Sequence, residues 1–170
     1  MSVAAPDVDR VLTLADGWLQ PLTDLLAGFS IELRSVADTA PIPCSYWGAP
    51  EAGLEGMTVW VRYDTPVHSV LHEASHVMCM PAERRLMLQS DAAGDFDEEN
   101  AVCYLQITLA DQIPALGAER IMLDMDRWGY TFRLGSTHAW FREESADAGA
   151  WLNRNGLLDD AGRLTGRVRA

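Results

Sequence analysis

Lysine is absent from this chain, and all 13 of its basic side chains are arginine. The 25 Asp and Glu side chains outnumber them, so the formal net charge is −12 at pH 7. A surface with this excess of negative charge repels phosphate backbones and anionic lipid headgroups. We therefore expect neither a nucleic acid nor a membrane among the partners of the protein.

Long apolar runs and a cysteine framework are also missing. No segment approaches the roughly 20 apolar residues that a membrane-spanning helix needs. The three cysteines, Cys44, Cys79 and Cys103, are too few and of odd number for a disulfide framework. Residues 1–7 carry neither the basic nor the apolar region of a secretory signal. These features predict a cytoplasmic protein.

The size of the chain favours one domain. With 170 residues and 48% hydrophobic composition, it is long enough to bury a true core without disulfides or structural metals. We expect a single domain over 1–161. Residues 162–170 contain three arginines and no acidic residue, and we expect them to form a short basic, flexible tail.

Hydrophobic periodicity predicts both helices and strands, which indicates the α+β class. The predicted helices span 9–28, Pro66 to Pro81 after an N-cap at Thr65, Asp95 towards Pro114, and 145–155. The predicted strands span 30–36, 57–63 and 130–134. The proline- and glycine-rich stretch 37–56 is predicted as a long loop of the kind that often carries function.

The candidate metal-binding and catalytic side chains lie mainly in the second predicted helix. This helix contains the run His72-Glu73-Ala74-Ser75-His76, an HExxH pattern. Residues i and i+4 lie one turn apart on the same helix face, so both imidazoles can reach one metal ion. Glu73 points about 100° around the helix and can reach a metal-activated water as a general base. The pattern thus predicts a catalytic metal site, and the alternative is a pair of structural histidines.

With its surroundings, this motif resembles the zincin superfamily over residues 57–113. The resemblance implies a zincin-like fold in which a small mixed sheet packs against the HExxH helix and a following glutamate-bearing helix. It also implies that His72 and His76 hold Zn²⁺ with a third protein ligand. The third histidine of the metzincins is missing, because position 82 is alanine.

Compact glutamate-type zincins take the third ligand from the next helix, after a Glu-rich run. By that resemblance Glu99 is the expected third ligand. Glu98 is the second choice and Asp95 the third, and the alternative for any of them is a solvated acid favoured by the helix dipole.

A second resemblance concerns the same motif. The HExSH form of the motif, followed by Arg84-Arg85 and later by residues 100–105, is similar to the elongation factor P hydroxylase family. That resemblance implies a non-haem iron hydroxylase acting on a protein, with Fe²⁺ on two histidines and one carboxylate. From the residues alone, Arg84 and Arg85 either bind a carboxylate or form a solvated pair after the helix.

Residues outside the motif supply further candidates. The resemblance to zincins, many of which have a distal histidine, predicts His138 as a catalytic residue that stabilises an oxyanion or delivers a proton; the alternative is a structural histidine beside aromatic residues. Tyr130 is a second candidate for that catalytic role. His68, one turn before His72, is expected to shape the pocket. Strand 57–63 is expected at the sheet edge, where it can pair with an extended peptide.

Taken together, these features predict a metal-dependent hydrolase, specifically a zinc metallopeptidase acting on a peptide or protein substrate. One alternative is the non-haem iron hydroxylase described above. A second alternative is a metal-binding protein without catalytic activity, although the glutamate of the motif has no use in a purely structural site.

Overall fold

A three-stranded mixed sheet and seven α-helices make up the computed structural model, which describes residues 9–170. The strands are β1 (Glu32–Ser35), β2 (Gly53–Glu55) and β3 (Thr58–Val61). The helices are α1 (Leu19–Ala27), α2 (Val67–Cys79), α3 (Ala82–Leu86), α4 (Phe96–Asp111), α5 (Ala118–Trp128), α6 (Thr137–Glu143) and α7 (Ala146–Arg154). The predicted α+β class is confirmed.

The strand predicted at the sheet edge lies at its centre. The strand order is β1-β3-β2, with β1 parallel and β2 antiparallel to β3. Strand β2 falls inside the predicted loop 37–56, and a tight turn with Gly56 at φ 57° returns the chain into β3. Because β2 takes the outer position, the prediction of 57–63 as an edge strand is wrong.

The first predicted helix is shorter than expected. A 3₁₀ turn at Leu14–Asp16 ends at Gly17, whose φ of 93° stops the helix, and α1 begins two residues later. Pro21 lies in the first turn of α1, where its missing N–H costs nothing. The prediction of one helix over 9–28 is therefore wrong in its first half.

Helix α2 is the central element of the core. It packs against β2, β3, α4 and α5, and its residues Val70, Leu71, Ala74, Val77 and Met78 are fully buried. The helical spacing of these residues predicts the helix from the sequence. The predicted end of the helix before Pro81 is confirmed.

The start of α2 differs by one residue from the prediction. Pro66 is the N-cap, with extended backbone, rather than the first helical residue. Thr65 is buried, and its hydroxyl accepts a hydrogen bond from the backbone N–H of Arg62 at 2.9 Å instead of capping the helix.

The region between α4 and α7 was the least well predicted. Three of the observed helices, α3, α5 and α6, are not predicted from the sequence. The predicted strand over 130–134 is wrong, because these residues form an irregular connection between α5 and α6. They contribute aromatic side chains to the core instead of pairing with the sheet.

The C-terminal segment packs against α2 rather than extending into solvent. The backbone N–H of Arg169 donates to the carbonyl of Met78 at 2.9 Å, and Arg85 Nη2 donates to the Arg169 carbonyl at 2.6 Å. Val168 contacts the core. The expectation of a flexible tail over 162–170 does not match this packing, and Arg85 is buried rather than solvated.

Between residues 9 and 170, no helix combines the length and the hydropathy that crossing a membrane would require.

Candidate metal centre

Three side chains from α2 and α4 converge on one point. Nε2 of His72 lies 3.1 Å from Nε2 of His76 and 3.2 Å from Oε1 of Glu99. Nε2 of His76 lies 3.4 Å from Oε2 of Glu99. These three residues are the ones expected to hold the metal, and the structure brings them together.

Local geometry explains the convergence. The i, i+4 spacing on α2 places both imidazoles on one face, and they meet edge-to-face with ring centroids 4.7 Å apart. Helix α4 packs along α2 and presents its first turn to that face. Asp95 is the N-cap of α4, and its carboxylate accepts the backbone N–H of Glu98 at 2.9 Å. The third-choice ligand is thus a helix cap and not part of the cluster.

Glu98 faces away from the histidines. Its side chain is buried and forms ion pairs with Arg84 and, at 3.6 Å, with Arg169 Nη1. Successive helical residues are rotated by about 100°, so only one of two neighbouring glutamates can face the site. The structure selects Glu99 for that position.

Gln106 fixes the orientation of the His72 ring. Its Nε2 donates to the backbone carbonyl of His68 at 3.0 Å, which leaves Oε1 facing Nδ1 of His72 at 2.9 Å. Since that oxygen can only accept, Nδ1 of His72 carries a hydrogen, and in the neutral ring Nε2 then has a lone pair for a metal ion. A carbonyl behind a histidine is the usual outer support of a metal ligand.

The donor set and its spacing fit a divalent cation. Zn²⁺ takes histidine nitrogen and carboxylate oxygen at about 2.0–2.2 Å, which separates tetrahedral ligand atoms by about 3.3 Å. Octahedral ligands at similar bond lengths are separated by about 3.0 Å. The observed separations of 3.1 to 3.4 Å are close to these values, so one ion can contact all three residues.

The electrostatics of the cluster also favour a cation. Burial lowers the pKa of His76 to about 3, so that ring is neutral and offers a lone pair. Burial also opposes charge on His72, but Tyr130, Cys103 and Glu99 outweigh it and raise the pKa of His72. A neutral His76 beside the carboxylate of Glu99 suits the binding of a cation.

Glu73 lies in the same cavities as the cluster. Burial raises the pKa of its carboxyl to about 7; the charge of His72 opposes this shift, and Glu51 and Glu99 add to it. A carboxylate with a pKa near neutrality suits a general base, because it is both substantially ionised and able to hold a proton. This placement agrees with the role predicted from the motif.

Two cavities open onto the cluster. One of about 290 Å³ lies against Trp128 and Tyr130, and one of about 250 Å³ lies against Tyr46 and Trp47. His72, Glu73 and Glu99 line both. A molecule entering either cavity therefore contacts the donor atoms and the carboxyl of Glu73 together.

His138 does not belong to this site. It lies on α6 with about half of its side chain exposed, and Nε2 is 3.5 Å from Oε2 of Glu119 on α5. Ser136 caps α6, its side chain accepting the Ala139 N–H, and this start turns position 138 to the surface. The structure therefore does not bring His138, which was predicted as a catalytic residue, to the candidate metal centre.

Tyr130 is the distal candidate that the fold does bring to the site. Its ring centroid lies 5.7 Å from that of His72, and its hydroxyl lies 3.3 Å from Nδ1 of His68 and 3.5 Å from Nε2 of Gln106. Burial raises the pKa of Tyr130 to about 12, so the hydroxyl keeps its proton. His68 is buried beside it, with its ring edge-on to that of Tyr130.

Sequence reasoning missed Gln106 and the position of Cys103. The thiol of Cys103 is buried, and it lines the cavity that contains His72 and Glu99. A signal was available, because positions i, i+4 and i+7 of a helix share a face, and 99, 103 and 106 have that spacing.

Comparisons with known proteins add no relative: no protein-family model, no curated protein and no solved structure matches the chain.

Proposed function

We propose that this protein is a metal-dependent hydrolase that cleaves peptide bonds, with Zn²⁺ held by His72, His76 and Glu99. One observation carries the proposal: two imidazole nitrogens lie 3.1 Å apart, each within 3.4 Å of a carboxylate oxygen of Glu99, and Glu73 lines the cavities at this cluster. A site built for structure alone has four protein ligands and no adjacent base.

The bound ion would supply Lewis acidity, lowering the pKa of a water and polarising a carbonyl. The protein side chains do the rest. Glu73 takes the proton of the attacking water on its carboxylate and returns it to the leaving amine. Gln106 keeps the hydrogen of neutral His72 on Nδ1, and the Tyr130 hydroxyl accepts a hydrogen bond from the amide of Gln106.

A first experiment separates metal binding from chemistry. In Glu73→Gln we expect unchanged metal content and a loss of peptide hydrolysis of roughly 10²–10⁴-fold, because the amide is isosteric and cannot accept the proton. His138→Ala is the matched control and should change neither. Full activity in Glu73→Gln would refute the general-base role.

The second candidate is the non-haem iron hydroxylase. The observation behind it is the same donor set, since two histidines and one carboxylate also form the facial triad for Fe²⁺. Elemental analysis of protein purified with and without air distinguishes the hydrolase from the hydroxylase. One equivalent of zinc in both samples supports the hydrolase, whereas iron retained only without air supports the hydroxylase. A metal-loaded protein without either activity would leave the non-catalytic alternative.

A further inference from the structure

A third and much larger cavity begins at the candidate metal centre. This groove has a volume of about 970 Å³ and extends from Glu99 to α7 along the open side of α4. It is lined by five aromatic side chains: Phe96, Tyr130, Phe132, Trp140 and Trp151. Its volume lies at the upper end for sites of compact ligands, and its length suits an extended one.

Large aromatic side chains are exposed on both sides of the centre. Phe96, at the groove, is 79% exposed, and Trp47, at the opposite cavity, is 77% exposed. Tyr46 packs edge-on against Trp47, with ring centroids 5.0 Å apart. Exposed aromatic groups that flank a reactive centre indicate that apolar groups of a ligand cover them during function.

The charges of the groove have one predominant sign. Asp97, Glu143 and Asp147 line it and form no ion pair with the side chains of residues 9–170. Arg133 also lines the groove, but it forms an ion pair with Glu144, which neutralises its charge. Arg154 remains as a single cation against three carboxylates, so the groove favours a positively charged ligand.

We propose that the groove binds a polypeptide segment in which a basic side chain neighbours an apolar one, and that this segment leads the scissile bond to the metal centre. The inference rests on the proposed hydrolase function and specifies its substrate class. The apolar side chain packs against Phe96 and the inner aromatic wall, and the basic side chain pairs with Asp97 or Asp147.

The test measures binding rather than turnover. The Glu73→Gln protein, with its metal content measured in the same sample, is titrated into two rhodamine-labelled decapeptides and followed by fluorescence anisotropy. One peptide alternates Leu and Arg, and the other replaces every Arg by Glu. We expect saturable binding of the basic peptide, weakening as salt is added, and at least roughly tenfold weaker binding of the acidic one.

Variants locate the binding to the groove. Neutralising one carboxylate, as in Asp97→Asn or Asp147→Asn, should weaken the binding of the basic peptide roughly two- to fivefold. The double variant should weaken this binding further. Phe96→Ala should weaken the binding of both peptides. The matched controls are Asp111→Asn, at the other end of α4, and Leu86→Ala, an apolar side chain that is 88% exposed outside the groove; neither should have an effect.

Two results would overturn the proposal: equal or tighter binding of the acidic peptide, or binding of the basic peptide that the groove variants leave unchanged. Absence of saturable binding at millimolar peptide would also overturn it. Because the readout is binding by a hydrolysis-deficient variant, a missing peptidase activity tests the proposed function separately.

Discussion

Glu98 and Glu99 are neighbours in the first turn of α4, yet the fold gives them opposite surroundings. Glu98 is buried and faces two arginines, whereas Glu99 is half exposed and faces two imidazoles. Burial raises the pKa of Glu98 although Arg84 opposes it. At Glu99 burial acts in the same direction, but the pKa is lowered on balance, chiefly by the hydrogen bond with His72.

The comparison teaches how to separate a structural carboxylate from a metal-binding one. Glu98 already has permanent cations within reach, so its charge is compensated inside the protein. The basic groups beside Glu99 are imidazoles, which can lose their protons and offer lone pairs to a metal. The predictions below test this difference, from the largest expected effect to the smallest.

The largest effect is expected at Glu99. In Glu99→Gln the carboxylate charge is lost, and metal affinity should fall by more than the roughly 10–100-fold typical of outer-shell changes. Competition with a chelator of known affinity measures the loss. Glu98→Gln is the matched control, with the same substitution one residue earlier, and its metal affinity should stay within about twofold of wild type. Equal losses in both variants would contradict the assignment.

A smaller loss of metal affinity is expected at Gln106. Replacing it by Met, which has similar volume but no amide, removes the acceptor that keeps hydrogen on Nδ1 of His72. We expect affinity to fall roughly 10–100-fold, measured by the same competition. In Gln106→Glu an oxygen acceptor remains, so affinity should recover at least in part. If Gln106→Met binds metal as wild type does, the orienting role is disproved.

Glu98 should instead matter for stability. Glu98→Gln leaves Arg84 and Arg169 without a charged partner, and we expect the free energy of unfolding to fall by about 1–3 kcal/mol. Urea denaturation of the metal-free protein measures this value. In metal-free Glu99→Gln the loss of stability should be smaller, because half of the Glu99 side chain is exposed and water screens its interaction with His72. A reversed order of the two variants would show that the roles are exchanged.

The smallest effect concerns Asp16, a second carboxylate with an arginine partner. The hydrogen bond from Arg10 lowers the pKa of Asp16 from 3.8 to about 2, against a small opposing effect of burial. Its ionised form is therefore favoured by folding, and this contribution is complete above about pH 4 and lost as pH falls through 2. Asp16→Asn should be less stable at pH 7 by up to about 1 kcal/mol, because the pair is at the surface.

The pH dependence provides the control for Asp16. In denaturation measured from pH 7 down to pH 2, the stability difference between Asp16→Asn and wild type should shrink to near zero. A difference that is independent of pH would mean that the ion pair with Arg10 is not its cause.

The sequence predicted the centre of the site because its chemistry is local. Two histidines four residues apart on a helix must share a face, whatever the rest of the fold does. The position of Glu99 depends on how α4 packs against α2, which a local sequence pattern does not determine. The prediction of Glu99 as a ligand therefore depended on the resemblance to glutamate-type zincins. The role of Glu98 was not predictable, because Arg84 and Arg169 are 14 and 71 residues away along the chain.

Other parts of the fold could not be predicted for similar reasons. Strand β2 has three residues, too few for an alternating pattern, and it forms because β3 lies beside it. The apolar residues of 130–134 suggested a strand, but they bury themselves against helices. His138 was predicted as functional by likeness to the distal histidine of many zincins, and only the packing of α6 on α5 shows that it faces solvent.

The central claim is that His72, His76 and Glu99 bind one divalent ion, and X-ray absorption spectroscopy of the metal-loaded protein tests it most directly. We predict a spectrum with two imidazole ligands at about 2.0–2.1 Å, further oxygen ligands, and no sulfur. A sulfur contribution at about 2.3 Å would instead place Cys103 on the metal. A spectrum without imidazole would contradict the account altogether.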